Sequence, residues 1–232
     1  MENPSVVWED DYILALNKPA GWVINDSETA HGNPILQDWI EKNYNFETSH
    51  SKELRSGIVH RLDKPTSGII LIAKTKEVFY ALQKEFADRK IEKVYIALVH
   101  GNVSREEGII NAPIGRLPWK RTKFGIVPGG RSAVTEYKVI GHHEPFSLLE
   151  LYPKTGRTHQ LRVHLKHIGH PIVSDPLYAG RKTLRQDVKI WPRLWLHAKE
   201  IKFIHPVTKR KTTLEAPLPS DLKLPEDLSK KT

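Results

Sequence analysis

The segment Val94–Val99 has apolar side chains on both of the faces that a β-strand would present. Side chains alternate along a strand, so one face carries Tyr95, Ala97 and Val99 and the other carries Val94, Ile96 and Leu98. A strand that is apolar on both faces needs a packed layer on each side. The chain is therefore predicted to build a covered sheet with this segment as a central strand.

Further short runs of β-branched and aromatic residues also predict strands. Including the central one they are Val6–Trp8, Tyr12–Leu16, Ile69–Ile72, Val94–Val99, Ala133–Ile140, Ser147–Tyr152 and Ile201–Ile204. Many strands with few helices between them favour an α+β fold with a large mixed or antiparallel sheet.

Three stretches predict helices by their apolar spacing: Asn33–Tyr44, Thr75–Asp88 and Thr158–Ile168. Asn33 and Thr75 are suitable N-caps, and Pro34 suits the first helical position. After the third helix, Gly169 can adopt a left-handed conformation and Pro171 prevents continuation. We find no boundary that would divide the chain, so we expect one domain over residues 1–219 and a tail over residues 220–232.

Composition is typical of a globular protein, and the charge makes a polyanion the first partner to consider. It has 232 residues, 39% hydrophobic and 27% charged, with a formal net charge of +9. A basic surface attracts nucleic acid, although a basic enzyme without such a partner is compatible with the same charge. No cysteine is present, which excludes disulfides and thiolate chemistry. The sequence shows no signal peptide and no apolar run long enough to span a bilayer, so we expect a cytoplasmic protein without a membrane partner.

The segment His60–Gly68 concentrates polar residues directly before an apolar strand. It reads His60-Arg61-Leu62-Asp63-Lys64-Pro65-Thr66-Ser67-Gly68. Such loops often carry active-site residues. The alternative is a tight turn in which Pro65 fixes φ, Gly68 allows a positive φ and the charges are solvated.

A second segment, Lys154–His164, places a turn before the third predicted helix. Unpaired backbone N–H groups at a helix start favour an anion, and Arg157 and Arg162 add positive charge there. A basic helix start that faces water is the alternative. Tyr95 lies in the predicted central strand. The alternative to a role in a site is that it is a core tyrosine whose hydroxyl is hydrogen-bonded.

A third segment, Arg116–Phe124, interleaves cations with Trp119 and Phe124; its central cations are Lys120, Arg121 and Lys123. Cations can neutralise phosphates while aromatic faces stack on unpaired bases. The alternative is an exposed, solubilising loop.

Two other patterns do not support a site. Residues 125–132 have the spacing of a phosphate-binding loop, but Arg131 stands where lysine is needed and a strand follows. His159 and His164 are five positions apart and do not share a helix face, and no HExxH pattern occurs, so we expect no metal.

Taken together, these segments resemble the RluA-type family of RNA pseudouridine synthases over roughly residues 6–217. The resemblance rests on Asn17–Gly21, His60–Gly68, Lys93–Ala97, Thr155–His164, Gly169–Ile172 and Asp175–Tyr178. It implies a pseudouridine synthase catalytic domain: an α+β fold around a curved mixed sheet with a central cleft. Many relatives acting on large ribosomal RNA carry an N-terminal domain of the S4 type, and we expect this chain to lack it.

The resemblance also implies roles for individual residues. Asp63 would be the nucleophile, attacking the sugar C1′ or the base C6 of a flipped uridine. Tyr95 would be a general base or a stacking platform, and Arg162 would pair with Asp63. Leu161 would wall the pocket, and Arg61 would stand near the space left by the base. His60, Arg157, Lys120, Arg121 and Lys123 complete the expected RNA-contacting set.

The implied reaction replaces a C1′–N1 bond by a C1′–C5 bond without redox change, so no cofactor is expected. The substrate would be tRNA or rRNA, bound by a monomer without a guide RNA. Two alternatives are a non-catalytic RNA-binding or folding factor on the same scaffold, and an unrelated hydrolase that uses Asp63 with His60 as base.

Overall fold

The computed structural model describes residues 2–25, 32–118, 120 and 122–225. The strands in chain order are β1 Ser5–Glu9, β2 Ile13–Lys18, β3 Ser67–Ala73, β4 Glu92–His100, β5 Glu107–Asn111, β6 Ile114–Arg116, β7 Phe124–Ile126, β8 Val134–His143, β9 Phe146–Pro153, β10 Leu196–Ile204 and β11 Lys211–Glu215. The α-helices are α1 Leu36–Asn43, α2 Lys76–Ala87, α3 Gln160–His167 and α4 Arg181–Asp187. This content confirms the α+β class.

The chain divides into two compact units. The first consists of Met1–Lys93 and Ala198–Pro217, and the second of Val94–His197 and Leu218–Thr232. Each unit has its own strands, helices and apolar cluster.

The sheet of the first unit has the strand order β1-β2-β3-β10, with β11 paired to β10. Strands β2 and β3 are antiparallel, from Ile13 opposite Ala73 to Lys18 opposite Gly68. Every residue of β3 is buried. A strand buried on both faces must be covered by other elements, and an apolar cluster packs here, formed by Leu14, Leu16, Trp22, Ile24, Leu36, Ile40, Ile58, Ile70 and Ile72.

The two helices of the first unit differ in how well their starts were predicted. Thr75 caps α2 as expected, with its side chain accepting the N–H of Val78. Helix α1 begins at Leu36, later than predicted, and Asn33 is not its cap. The cause is tertiary: the N–H of Val23 donates to Pro34 and the N–H of Leu36 donates to Val23, so this stretch pairs as a short bridge before the helix starts.

The second unit contains an antiparallel sheet in the order β4-β9-β8-β5 and a separate hairpin, β6–β7. Ala97, Leu98 and Val99 of β4 are fully buried, as expected of a central strand. They join an apolar cluster with Leu149, Leu161, Leu165, Trp191 and Trp195 among its members. Strands β5, β6, β7 and β11 were not predicted.

Helix α3 begins at Gln160 after His159, which adopts a left-handed conformation with φ of 55°. Gly169 has φ of 90°, which confirms the predicted left-handed end. Helix α4 was not predicted. In the predicted tail, Leu222 is fully buried, and the side chains of Arg193 and Asp221 form two hydrogen bonds, so the described part of this segment is packed. No helix in the described ranges has the length and apolar character needed to cross a membrane.

Candidate active site

Asp63 lies in the first unit, on the loop that leads into β3. The backbone N–H of Thr66 donates to the backbone carbonyl of Asp63 at 3.0 Å, which closes a tight turn around Pro65. Thr66 and Ser67 are buried while Asp63 is half-buried, so the loop is fixed at its strand end and Asp63 is only partly covered. This arrangement suits a carboxylate that must meet a substrate.

Lys18 anchors this loop from the neighbouring strand. Its side chain is fully buried, and its ammonium donates to the carbonyls of Pro19 at 2.9 Å, Trp22 at 3.1 Å and Lys64 at 3.4 Å. The N–H of Gly21 also donates to the Lys64 carbonyl, at 2.8 Å. A buried ammonium is tolerated only with such partners. The residue after Asp63 is therefore held by two donors, one at the end of β2 and one in the turn that follows it.

His60 holds the other side of the loop. Its Nε2 accepts the backbone N–H of Leu71 in β3 at 2.9 Å, and its ring lies 4.7 Å from the ring of Phe86. Burial, and secondarily the charge of Lys93, lowers the pKa of His60 to about 3. Burial also lowers the pKa of Lys93. His60 is therefore neutral at physiological pH and ties the loop to the sheet.

Two further positions of the loop have distinct environments. Arg61 is exposed, as a residue that contacts RNA would be. Gly68 has φ of 121°, and a Cβ built there would lie 2.2 Å from the carbonyl oxygen of Ala198. No other residue fits at this position, so the end of the signature segment is fixed by close backbone packing.

Tyr95 lies in the second unit, in β4 opposite Leu151 of β9. It is half-buried and packs against the apolar cluster of that unit. Its role as base, stacking platform or plain core residue stays a prediction at this point.

Arg162, on α3, makes a buried two-point ion pair with Asp175. Nε donates to Oδ2 and Nη2 to Oδ1, each at 2.8 Å, and the side chains of Arg162 and Asp175 are 2% and 0% exposed. The Asp175 carboxylate also accepts the N–H groups of Leu177 at 2.8 Å and Tyr178 at 3.1 Å. The guanidinium carbon lies 5.1 Å from the centre of the Tyr178 ring. The Asp175–Tyr178 turn thus fixes the orientation of Arg162.

A buried hydrogen-bond network holds α3 on β8. Gln160 is its centre: Oε1 accepts the hydroxyl of Thr155 at 2.7 Å and the N–H of Arg157 at 3.0 Å. Its Nε2 donates to the carbonyl of Val134 and the hydroxyl of Thr135, each at 3.0 Å.

The same network continues to His164. Thr135 donates to Nδ1 of His164, whose Nε2 donates to the carbonyl of Ala112, both at 3.0 Å. Burial lowers the pKa of His164; the bond to Ala112 opposes this and the charge of His167 adds to it. A neutral imidazole can make both hydrogen bonds. These bonds fix the position of α3, which carries Arg162, against Thr135 and Ala112.

Fewer backbone N–H groups are available to an anion at the start of α3 than the sequence indicated. The N–H of Arg157 is used by Gln160, and the N–H of Gln160 donates to the Arg157 carbonyl at 3.0 Å. The Arg157 side chain donates from Nε to the carbonyl of Ser132 at 3.1 Å. Leu161 is 7% exposed and belongs to the core of the second unit.

The described residues of the basic segment belong to β6, to β7 and to the connection between them. Lys120 is exposed, whereas Lys123 is half-buried, donates to the carbonyl of Leu177 and lies 5.7 Å from the Tyr178 ring centre. The Arg116 guanidinium lies 5.2 Å from the ring centre of Phe124. Trp119 and Arg121 lie outside the described residues.

The predicted site residues therefore form two groups. His60, Arg61 and Asp63 belong to the first unit; Tyr95, Leu161, Arg162, Arg157, Lys120 and Lys123 belong to the second. Sequence reasoning gave no role to Lys18, Asp175 or Tyr178. The available signal was that all three stand in the segments that carry the family resemblance.

Comparison with known proteins places these segments in one family. The profile described as RNA pseudouridylate synthase matches residues 12–167, a span that includes Asp63, Tyr95 and Arg162. The chain is 37% identical over 228 residues to "Ribosomal large subunit pseudouridine synthase D" of Pseudomonas aeruginosa, covering 93% of this chain and 68% of that protein. It is 36% identical over 226 residues to an uncharacterised RNA pseudouridine synthase of Bacillus subtilis, covering 97% and 73%.

Two solved structures also support this assignment. Among similar relatives the chain spans between 59% and 73% of the relative's length. The fold matches the solved structure of human RNA pseudouridylate synthase domain containing 1 with a TM-score of 0.76 and 28% identity, covering 96% of this chain and 87% of that one. The fold also matches the solved structure of human RNA pseudouridylate synthase domain containing 4. That match has a TM-score of 0.72 and 25% identity and covers 94% of this chain and 89% of that one. The chain therefore belongs to the RNA pseudouridine synthases, a family of isomerases.

Proposed function

We propose that this chain isomerises a uridine of large-subunit ribosomal RNA to pseudouridine, with Asp63 as nucleophile and with Tyr95 and Arg162 acting on the same reaction. The observation that carries the proposal is the anchored loop of Asp63. Lys18, at the end of β2, and the bond between His60 and Leu71 of β3 fix its backbone, while Asp63 itself is half-buried. A nucleophile must be held in this way to attack one defined atom.

The proposed reaction conserves atoms and electrons. The C1′–N1 bond breaks, uracil turns within the site, and a C1′–C5 bond forms. The proton on C5 is then removed and N1 gains a proton. Asp63 makes a transient ester with C1′ or a transient adduct at C6, and its release regenerates the carboxylate. Neither route requires a redox partner or a metal.

The other predicted residues have roles that their chemistry supports. Arg162 would favour the ionised form of Asp63, since a nearby cation lowers the pKa of a carboxyl group. Tyr95 would remove the C5 proton or stack on uracil, and Leu161 would wall the pocket. Exposed Arg61 would occupy the gap left in the RNA after the base leaves its stack.

RNA recognition follows from charge. The net charge is +9, and the basic segment of the sequence includes Lys120, Arg121 and Lys123, which we propose as phosphate contacts together with Arg157. Several relatives are named for the ribosomal large subunit, which favours ribosomal RNA over tRNA as the substrate.

The environment of His60 weighs against hydrolysis with His60 as general base. Its Nε2 is occupied by Leu71, and its lowered pKa, about 3, makes it a weak base. The presence of Asp63, Tyr95 and Arg162 weighs against a purely RNA-binding factor, because such a factor would not need them.

The substrate is tested with unmodified transcripts labelled with tritium at uracil C5. Transcripts of large-subunit rRNA and of a tRNA mixture are incubated separately with the protein, and tritium release to water is followed. Release from rRNA alone supports the proposal. Release from tRNA alone would support the proposed reaction but would show that the substrate is tRNA. RNA affinity should also fall steeply with salt, because phosphate contacts release counterions.

A further inference from the structure

A pocket of about 280 Å³ lies on the second unit, between the β6–β7 hairpin and one face of α3. It is lined by Leu117, Lys123, Phe124, Gly125, Ile126, Val163, Lys166, His167 and Tyr178. None of the predicted catalytic residues lines it, and among the described lining residues none is acidic. It is therefore a feature that the proposed reaction does not use.

The floor of the pocket is apolar and aromatic. Val163 and Tyr178 belong to one buried cluster, against which Phe124 and Ile126 pack. The Tyr178 hydroxyl accepts the N–H of Phe124 at 3.0 Å and lies 3.0 Å from Nδ1 of His159, so its ring is held in place. Tyr178 is 5% exposed and supports the half-buried ring of Phe124, which can take the flat face of a nucleobase.

The rim of the pocket is positively charged. Lys123 and Lys166 lie 5.7 Å and 5.9 Å from the Tyr178 ring centre. Burial, and the charges of Lys120 and Lys166, lower the pKa of Lys123; Arg162 adds to the lowering and Asp175 opposes it. Lys166 is exposed and makes no ion pair within the described part of the chain. Like charges brought together favour an anionic ligand.

Helix α3 lines the pocket with one face and packs into the core with another. Val163, Lys166 and His167 line it, whereas Leu161 and Leu165 pack into the main apolar cluster of the unit. Residues four apart share a helix face, so Val163 and His167 form one wall. The volume is at the small end of ligand pockets, which fits a single nucleoside better than a longer segment.

We propose that this pocket binds one unstacked nucleoside of the substrate RNA, with Lys166 contacting an adjacent phosphate. The proposal rests on the proposed function, because it takes RNA to be the ligand, and it deepens that function by adding a second recognition point. The base would lie against Phe124, above the floor that Tyr178 supports. Modification would then require a nucleotide that can leave its stack at a fixed distance from the target uridine.

The first test measures RNA affinity with substitutions at exposed positions. Lys166→Gln should reduce the slope of log Kd against log salt by about 0.7, the value for one lost phosphate contact on a single strand. Lys189→Gln removes an exposed lysine that does not line the pocket and should leave the slope unchanged. Equal slopes for Lys166→Gln and the natural sequence would overturn the phosphate contact.

Stacking is tested by Phe124→Leu, which keeps an apolar side chain in the hairpin but removes the ring. Loss of one base stack should weaken binding by about five- to tenfold. The matched control is Tyr80→Leu, since Tyr80 is 49% exposed and does not line the pocket. Circular dichroism establishes that each variant is folded, and an unchanged Kd for folded Phe124→Leu would contradict the stacking.

The second test is photo-crosslinking to a mixture of rRNA and tRNA transcripts that contain 4-thiouridine. Crosslinks in peptides that contain Phe124 or Tyr178 are expected, and they should disappear in Lys166→Glu. Crosslinks confined to other peptides, or no RNA binding at all, would overturn the pocket. Tritium release without pocket crosslinks removes only this inference, whereas pocket crosslinks without tritium release remove only the proposed reaction.

Discussion

The Arg162 guanidinium and the Asp175 carboxylate are joined by two 2.8 Å hydrogen bonds, and both side chains are buried. Arg162 therefore has a structural partner as well as any catalytic one. Replacing it leaves a buried carboxylate without its cation, so the variant combines a folding defect with a catalytic one. Loss of activity in Arg162→Ala would not by itself establish a catalytic role.

Asp175→Asn should lower the free energy of unfolding by about 3–5 kcal/mol, because it leaves the Arg162 charge buried and uncompensated. Urea unfolding measures this. The double variant Arg162→Met with Asp175→Asn removes both charges and keeps an oxygen for the N–H groups of Leu177 and Tyr178. It should recover part of the stability but no activity. Recovery of activity in the double variant would contradict a catalytic role for Arg162.

Lys18→Met should reduce turnover through the position of Asp63. The substitution keeps the length of the side chain but removes the donor to the Lys64 carbonyl, at a cost of about 1.5–3 kcal/mol in stability. We expect kcat to fall more than KM rises, since the loop moves while the phosphate contacts remain. Lys84→Met, at an exposed position of α2, is the control. An unchanged kcat in folded Lys18→Met would refute the anchoring role.

His60 predicts a specific loss of stability in acid. Its pKa is about 3 in the folded chain and about 6.5 when unfolded. Below pH 6.5 the unfolded state takes up a proton that the folded state does not, so stability falls as the pH decreases from about 6.5 toward 3. The loss approaches about 1.4 kcal/mol per pH unit for this group.

His60→Asn isolates that contribution, because asparagine can still accept the N–H of Leu71 but does not titrate. Unfolding free energies measured between pH 7 and 4 should fall less steeply in the variant. The lowered pKa of His164 acts in the same direction and is present in both proteins. Parallel pH profiles would show that His60 does not stay neutral in the folded state.

Gln160→Leu should destabilise the second unit by about 3 kcal/mol or more, because it leaves several buried donors and acceptors unsatisfied at about 1–3 kcal/mol each. Gln186→Leu, on an exposed position of α4, provides the matched change. Thermal melts of both variants measure the difference. A loss in Gln160→Leu no larger than in the control would mean that the network does not hold α3.

The strands that sequence alone predicted are those with strong alternation or doubly apolar faces, such as β3 and β4. Their burial is fixed by local pattern. The β6–β7 hairpin was not predicted, because its strands have only three residues each and each contains a glycine. The predicted helix start at Asn33 was wrong for another reason. Val23, which precedes this stretch and lies outside its local pattern, forms a parallel β-bridge with Ile35.

The site shows the same division. The position of Asp63 before a buried strand followed from polar residues next to an apolar run. The contacts of Lys18 with Lys64 join residues 46 positions apart, and no local pattern specifies them. Asp175 is 13 positions from Arg162, and its role follows only from the fold that brings a turn against α3.

The most direct measurement is tritium release from RNA labelled at uracil C5, comparing the natural sequence with Asp63→Asn and with no added cofactor or metal. The account predicts release by the natural sequence and a loss of about a thousandfold or more in the variant, with RNA affinity within a few-fold. Substantial release by folded Asp63→Asn would contradict Asp63 as the nucleophile. No release by either protein from rRNA or tRNA would contradict the proposed reaction itself.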